Sequence, residues 1–199
     1  MSVDQWFVTA FLLFAVAERA YERRFSHQAA RGQTKMAWSY LALHALHILI
    51  YVATAVEFLW VRRQLCWPVA VVGLVAFGAS TALRLIAIRT LGRFWSLNLE
   101  IRPEHQLVRY GIYNHLRHPA YASIMVEVVA IPLTANAYGT LLALLAYIPL
   151  LLGRWAREER EMIAKFGDAY VQYQQDVPAF FPRRPGHATP RTPASARGE

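Results

Sequence analysis

Five stretches of this 199-residue chain are apolar over lengths close to the ~20 residues that a helix needs to cross a hydrocarbon core. They are Val3–Ala20, Ala37–Trp60, Trp67–Ile88, Pro119–Ala135 and Ala137–Gly153. The composition agrees: 56% of residues are hydrophobic and only 17% are charged, where a globular domain carries about a quarter charged residues. The gathering of apolar residues into blocks constrains the fold more than the percentage does. The sequence therefore predicts an all-α integral membrane helical bundle of about five transmembrane helices. It contains no strand–GxGxxG–helix unit, so no Rossmann sheet is expected.

The short turn Ala135-Asn136-Ala137 makes the last two spans an antiparallel hairpin, and Pro132 predicts a kink or an early stop near the end of the fourth. The first span resembles a signal peptide only in position. No basic residue precedes it and no small-residue cleavage site stands before Arg23-Arg24, so it reads as a retained helix with a polar flank from Glu18 to Arg24.

Basic residues predict the orientation. The segments Arg19–Lys35, Arg84–Arg117 and Arg154 to the C-terminus hold 19 of the 21 Lys and Arg residues, and only Arg62 and Arg63 fall elsewhere. Under the positive-inside rule those three segments are cytoplasmic and the N-terminus is external, in an inner or plasma membrane. The net charge of +8 then reads as attraction to anionic headgroups. No nucleic-acid partner is expected, since no Lys/Arg-rich run is interleaved with stacking aromatics.

Cys66 is the single cysteine and reads as a packing residue; no Cys/His metal spacing surrounds it, so no metal is expected. The chain divides into three N-terminal spans (1–90), a region holding the polar motifs and the helical hairpin (91–182), and a tail (183–199). The tail is rich in Pro, Ala, Thr and Arg with no apolar periodicity, and is expected to be disordered.

Two charge-dense cassettes, His105–Tyr121 and Arg154–Tyr170, flank the last two spans, where charge is costly and needs a reason. In the first, Gly111 and the run to Pro119 favour a loop with accessible amides. Pro119 fits the first turn of a helix, which places His118 at a helix N-terminus, a position that attracts carboxylates and phosphates. Taken alone, Arg117-His118 also fits an interfacial anchor. In the second cassette Arg154 and Glu158 share a helix face, as do Arg157 and Glu161, and either pair fits an ordinary surface ion pair. Glu57 and Glu127 lie within spans and are expected to point into the bundle, paired structurally to Arg84 or a His or serving a site. His44 and His47 share a face but have no acidic cluster beside them to suggest ligation.

The pattern Leu107-Val108, Gly111, Tyr113, Arg117-His118-Pro119 and Tyr121, followed by Glu158-Glu159, Phe166-Gly167 and Tyr170, resembles the isoprenylcysteine carboxyl methyltransferase family and its phospholipid methyltransferase relatives. The resemblance runs from about Leu91 to Pro182; the first half matches only as generic membrane spans. It implies an S-adenosylmethionine-dependent methyltransferase with its site facing the cytoplasm. The cofactor pocket it implies comprises Asn98, His105, Gln106 (through its backbone), Leu107, Val108, Tyr113, His118, Pro119, Ala120, Tyr121 and Glu158. Arg154 maps onto the substrate-facing arginine of the catalytic site.

The chemistry suits that mapping. A carboxylate binds the ammonium of a methionine moiety by a charge-assisted hydrogen bond, and Arg offers a planar fork to an acceptor carboxylate. Glu159, turned ~100° from Glu158 on the helix, is expected to matter less. The resemblance implies a lipophilic, prenylated acceptor entering from the bilayer among membrane lipids. A phospholipid amine or a small thiol is the alternative acceptor. From other classes, a membrane reductase binding NADPH and a non-catalytic haem module remain as alternatives.

Overall fold

The apolar blocks fold as helices, and the residues at their ends explain where each begins and stops. The computed structural model describes residues 2–27, 33–35, 37–61, 64–92, 95, 99–101 and 107–181. Its long helices are α1 (Val3–His27), α2 (Ala37–Val61), α3 (Trp67–Leu91), α4 (Pro119–Thr134) and α5 (Leu144–Phe166), followed by the short α6 (Asp168–Asp176). Helices α3 and α4 each carry Pro in the first turn, where the missing N–H costs nothing. Gly167, at φ 55°, breaks α5 from α6 by adopting a left-handed conformation that a side chain would disfavour. Pro132, where a kink or an early stop was expected, lies inside α4, which runs on to Thr134, one residue short of the expected end of the span.

The α4–α5 hairpin turn is held from two sides. Asn136 adopts φ 54°, a conformation Asn tolerates better than most residues, and its side-chain oxygen accepts the Cys66 N–H at 2.5 Å. Cys66 is thus not the packing residue expected: its side chain is exposed and its backbone makes the contact. On the other side, Glu57 accepts the Gly139 N–H at 2.9 Å, the Thr140 N–H at 2.7 Å and the Thr140 hydroxyl at 2.9 Å, capping the 3-10 turn Gly139–Ala143. A carboxylate inside an apolar span is explained here by orphan amides at a turn.

Helices α3 and α4 cross closely enough that a Cβ on Gly73 would stand 2.5 Å from the Thr134 nitrogen. The core between helices joins Phe11 and Ala15 of α1, Leu43 and Ile50 of α2, Phe77 of α3, Val128 and Ile131 of α4, and Tyr147 and Leu151 of α5. Facing outward are Leu13, Phe14, Leu41, Leu49, Val52, Leu59, Val71, Val72 and Val75, all exposed. An apolar exterior on this scale fits lipid as the solvent. Leu41–Val61, Trp67–Leu91 and Gly139–Phe166 are each long and apolar enough to cross a membrane, while Pro119–Thr134 is apolar but shorter. The protein is an integral membrane helical bundle.

Helix α1 departs from expectation. It continues past Ala20, and the residues read as a polar flank turn inward to build an ion cluster between helices. Arg84 of α3, fully buried, donates to both oxygens of Glu18 at 2.8 and 2.7 Å, lies 3.0 Å from Glu22, and pairs with Glu127 of α4. Arg19 donates to Glu22 at 2.8 Å and to Glu127 at 2.9 Å through Nε, with a second contact through its terminal nitrogen. His47 of α2 completes the layer, with Nδ1 3.0 Å from the Tyr147 hydroxyl and Nε2 3.4 Å from Glu127. Glu127 therefore has the Arg84 and His partners that a charge in an apolar span demands. Two residues counted as cytoplasmic charge, Arg19 and Arg84, are structural instead, which leaves the basic asymmetry otherwise intact.

One element was not foreseen. Residues Gln33–Lys35 (β1) pair antiparallel with Leu99–Ile101 (β2), Gln33 opposite Ile101, tying the α1–α2 connection to the segment that follows α3. Three residues per strand carry no periodicity that a sequence can announce.

Candidate cofactor and acceptor site

The first cassette is folded onto the second by a short strap of backbone. The Arg117 N–H donates to the Pro178 carbonyl at 2.9 Å, the His118 N–H donates to Ala179 at 3.0 Å, and Arg117 Nε donates to Val177 at 2.8 Å. Residues after α6 thus lie along the entrance to α4, and His118 stands at the N-terminus of that helix.

His118 sits between two neighbouring carboxylates of α5. Its Nε2 is 2.5 Å from Glu159 Oε1, and its Nδ1 is 3.9 Å from Glu158 Oε1. Glu158 also accepts the Tyr121 hydroxyl at 2.6 Å. Tyr121, three residues after His118, shares its helix face; the two rings meet edge-on with centroids 5.6 Å apart. Trp155 and Phe180 stack at 4.9 Å and close the far side of His118.

The two carboxylates have different surroundings. Glu159 accepts from Arg117 at 2.8 and 2.7 Å, from the Tyr170 hydroxyl at 2.9 Å, and from Gln174, in addition to His118. Its side chain is 10% exposed and that of Glu158 is 27% exposed. Glu158 has room for a ligand, whereas Glu159 is the hub that holds the first cassette, α5 and α6 together. Glu159, expected to matter less than Glu158, is held by α6, which covers the second face of the helix. The adjacent Glu158-Glu159 pair was the signal available.

The wall behind this cluster is apolar and aromatic. Val108 and Tyr113 pack with Ala87, and Leu107 packs against Tyr170, Tyr173 and Val177. The Tyr173 hydroxyl donates to the Tyr113 carbonyl at 2.5 Å. Burial pushes the Tyr173 phenol up to about 12, and burial with the nearby Glu159 charge holds Tyr170 above its usual range. Both remain protonated donors at neutral pH. Gly111, at φ 59°, passes so close to Thr90 that a Cβ would meet its methyl at 3.1 Å.

Among the residues predicted from sequence, His118, Pro119, Ala120, Tyr121 and Glu158 are thus brought together, with Leu107, Val108 and Tyr113 behind them. Arg154, one turn before Glu158 on α5, is buried and donates to the Ser39 hydroxyl of α2 at 3.0 Å. Asn98, His105 and Gln106 lie outside the described residues, as does the tail 183–199. Arg117, Glu159, Trp155, Gln174 and Ser39 are additional polar or aromatic members. A groove of about 560 Å³ beside Glu57 and Trp60 lies toward the opposite end of α2, away from this cluster.

An apolar bundle with a carboxylate, histidine and arginine gathered at one end, and no Rossmann sheet among its described residues, has the features of an integral membrane methyltransferase. Comparison with known proteins agrees. The model of the isoprenylcysteine carboxyl methyltransferase (ICMT) family matches residues 71–164. Protein-S-isoprenylcysteine O-methyltransferase B of Arabidopsis thaliana is 30% identical over 164 residues, covering 77% of this chain and 82% of that protein. The corresponding enzyme of Schizosaccharomyces pombe is 35% identical over 83 residues, covering 41% of this chain and 35% of that one. The solved structure of the eukaryotic intramembrane Ras methyltransferase ICMT superposes with a TM-score of 0.60 at 26% identity, covering 68% of this chain and 52% of that one. The chain thus spans about half the length of that solved protein. It belongs to the isoprenylcysteine carboxyl methyltransferase family.

Proposed function

We propose that the protein transfers a methyl group from S-adenosylmethionine to the carboxylate of a lipophilic, isoprenylcysteine-like acceptor at the cytoplasmic face of the membrane. The observation that carries this reading is the partly open carboxylate of Glu158, held by Tyr121 beside the N-terminus of α4 and one helical turn from a buried arginine. Five crossings, with the N-terminus outside, follow from the basic asymmetry if α1 and α4 also span.

The residues present fit the cofactor. Glu158 suits the ammonium of its methionine moiety, the amide end of α4 suits the carboxylate, and the ring faces of Tyr121, Trp155 and Phe180 suit a planar base and a neighbouring positive charge. When bound, S-adenosylmethionine supplies an electrophilic methyl on a sulfonium centre. Arg154 would hold the acceptor carboxylate by a two-pronged contact, fixing the direction of attack. The aromatic walls exclude water, which favours a reaction in which opposite charges cancel. A carboxylate is already ionised at neutral pH, so the site needs no general base.

Two variants test the assignment in detergent-solubilised protein. Glu158→Ala is expected to lose about 10- to 150-fold in S-adenosylmethionine affinity by calorimetry, the cost of one hydrogen bond to a charged partner. Unchanged binding sinks the cofactor assignment. Arg154→Lys keeps the charge but not the fork, and is expected to lower methyl transfer to a farnesylated thioether carboxylate while S-adenosylmethionine affinity stays near wild type. Equal losses in both would move Arg154 to the cofactor.

A further inference from the structure

The first turn of α2 touches α5 through two adjacent residues. Ser39, 1% exposed, accepts a hydrogen bond from an Arg154 terminal nitrogen at 3.0 Å, and the Arg157 guanidinium lies 5.4 Å from the centroid of the Trp38 ring. The charge of Arg154 also reaches the Tyr121 hydroxyl, and that hydroxyl donates to Glu158 at 2.6 Å. Ser39 on α2, Arg154 and Glu158 on α5 and Tyr121 on α4 thus form one polar neighbourhood, with Ser39 bonded to Arg154 and Tyr121 to Glu158.

We propose that Ser39 is a positioning residue for the Arg154 guanidinium, so that the N-terminal turn of α2 sets the acceptor side of the site. The proposal rests on the reading that Arg154 forks onto an acceptor carboxylate. A guanidinium has five N–H groups in one plane, and two-pronged recognition demands that the plane be fixed. An oxygen donated to from one edge supplies that constraint; the hydroxyl of a fully buried serine supplies it without a competing charge. A carboxylate in the place of Ser39 would neutralise the arginine and compete with the acceptor. Trp38, packed on Arg157 one turn further along α5, holds the same stretch of α2 against the same helix.

Position in the chain supports this division of labour. The family model matches residues 71–164, which contain Tyr121, Arg154 and Glu158 but neither Trp38 nor Ser39. The contact that orients Arg154 thus comes from the part of the chain the family pattern does not fix. Acceptor choice is the property expected to reside there.

The test uses full-length protein in detergent, with N-acetyl-S-farnesylcysteine as acceptor probe. Ser39→Ala is expected to lower kcat/KM for that probe about 10-fold, mostly through KM, the scale of a hydrogen bond to a charged group, with S-adenosylmethionine affinity within twofold of wild type. Ser39→Thr, which keeps the hydroxyl, is expected to restore most of the loss. In a double-mutant cycle, Ser39→Ala added to Arg154→Lys should lower turnover little beyond Arg154→Lys alone, because both remove the same geometry. Additive losses, or failure of Ser39→Thr to restore, make the effect one of helix packing and overturn the positioning role. An unaltered Ser39→Ala enzyme alongside an impaired Arg154→Lys enzyme overturns it while leaving the acceptor reading standing. A wild-type protein that binds S-adenosylmethionine but does not methylate the probe overturns the carboxylate-acceptor reading and this role with it.

Discussion

Two clusters of charge lie inside this bundle, and they are built differently. In the central one, Arg19 and Arg84 pair with Glu18, Glu22 and Glu127, and every charged side chain of that set is at most 9% exposed except Arg19 at 18%. In the other, at the end of α5, Glu159 is enclosed in the same manner but its neighbour Glu158 is left partly open, with Tyr121 as its close partner. Saturated charge ties helices together; accessible charge beside it is available for a ligand. Buried charge alone therefore does not distinguish the two clusters, and the difference in saturation does; the proposed site is the less saturated one.

The sharpest way to break the comparison is Arg84→Ala. It removes the guanidinium shared by Glu18, Glu22 and Glu127, taking both bonds that Glu18 accepts and leaving Glu22 and Glu127 to Arg19 and His47, and stranding buried charge typically costs ~3–5 kcal/mol. A large fall in unfolding midpoint in detergent is expected; a stable variant that lost only cofactor binding would make the central cluster part of the site.

Next in size is Glu159→Ala, which removes the acceptor shared by Arg117, His118 and Tyr170. A loss of ~1.5–3 kcal/mol in stability is expected from hydrogen bonds to a charged group, together with weakened cofactor binding as His118 loses its anchor. Here stability and binding fall together, whereas in Glu158→Ala binding falls and the midpoint moves little. Should the two glutamate variants behave alike, the distinction between hub and ligand-facing residue is lost.

The smallest effect is expected from Asp176→Asn. Its partner Arg109 is 2.8 Å away, but the two side chains are 53% and 40% exposed, and such pairs contribute ~0–1 kcal/mol. A midpoint shift comparable to that of Glu159→Ala would show that α6 is held from outside rather than through Glu159 and Tyr170.

The sequence revealed most where a local rule applied. Pro119 fixed the start of α4, and the apolar blocks the positions of α2 and α3; the fifth block, expected from Ala137, opens instead as the 3-10 turn Gly139–Ala143 before α5 begins at Leu144. Glu127 required a partner because it stands in an apolar run, and Arg84 and His47 were within the set named. The inward turn of Glu18, Arg19 and Glu22 was hidden because charges at the end of a span look the same whether they meet water or another helix. The partners of Glu159 were hidden because helical rotation separates it from Glu158, and α6 folding back gives the second face something to hold. Ser39 carried no signal at all, since a serine in the first turn of a helix is ordinary and its partner lies 115 residues away.

The central cluster also bears on how the protein is made. Helix α1 leaves the ribosome before α3 and α4, for Arg84 follows Glu18 by 66 residues and Glu127 follows Arg19 by 108. Until those partners are synthesised, a helix bearing Glu18, Arg19 and Glu22 at the end of its apolar run has no stable place in hydrocarbon. At ~5–20 residues per second the wait is several seconds. A helix made before its partners is then secured only after them, and during that interval it must rest at the headgroup layer or against the insertion machinery. Substitutions in α3 or α4 that spare every residue of α1 would strand it there.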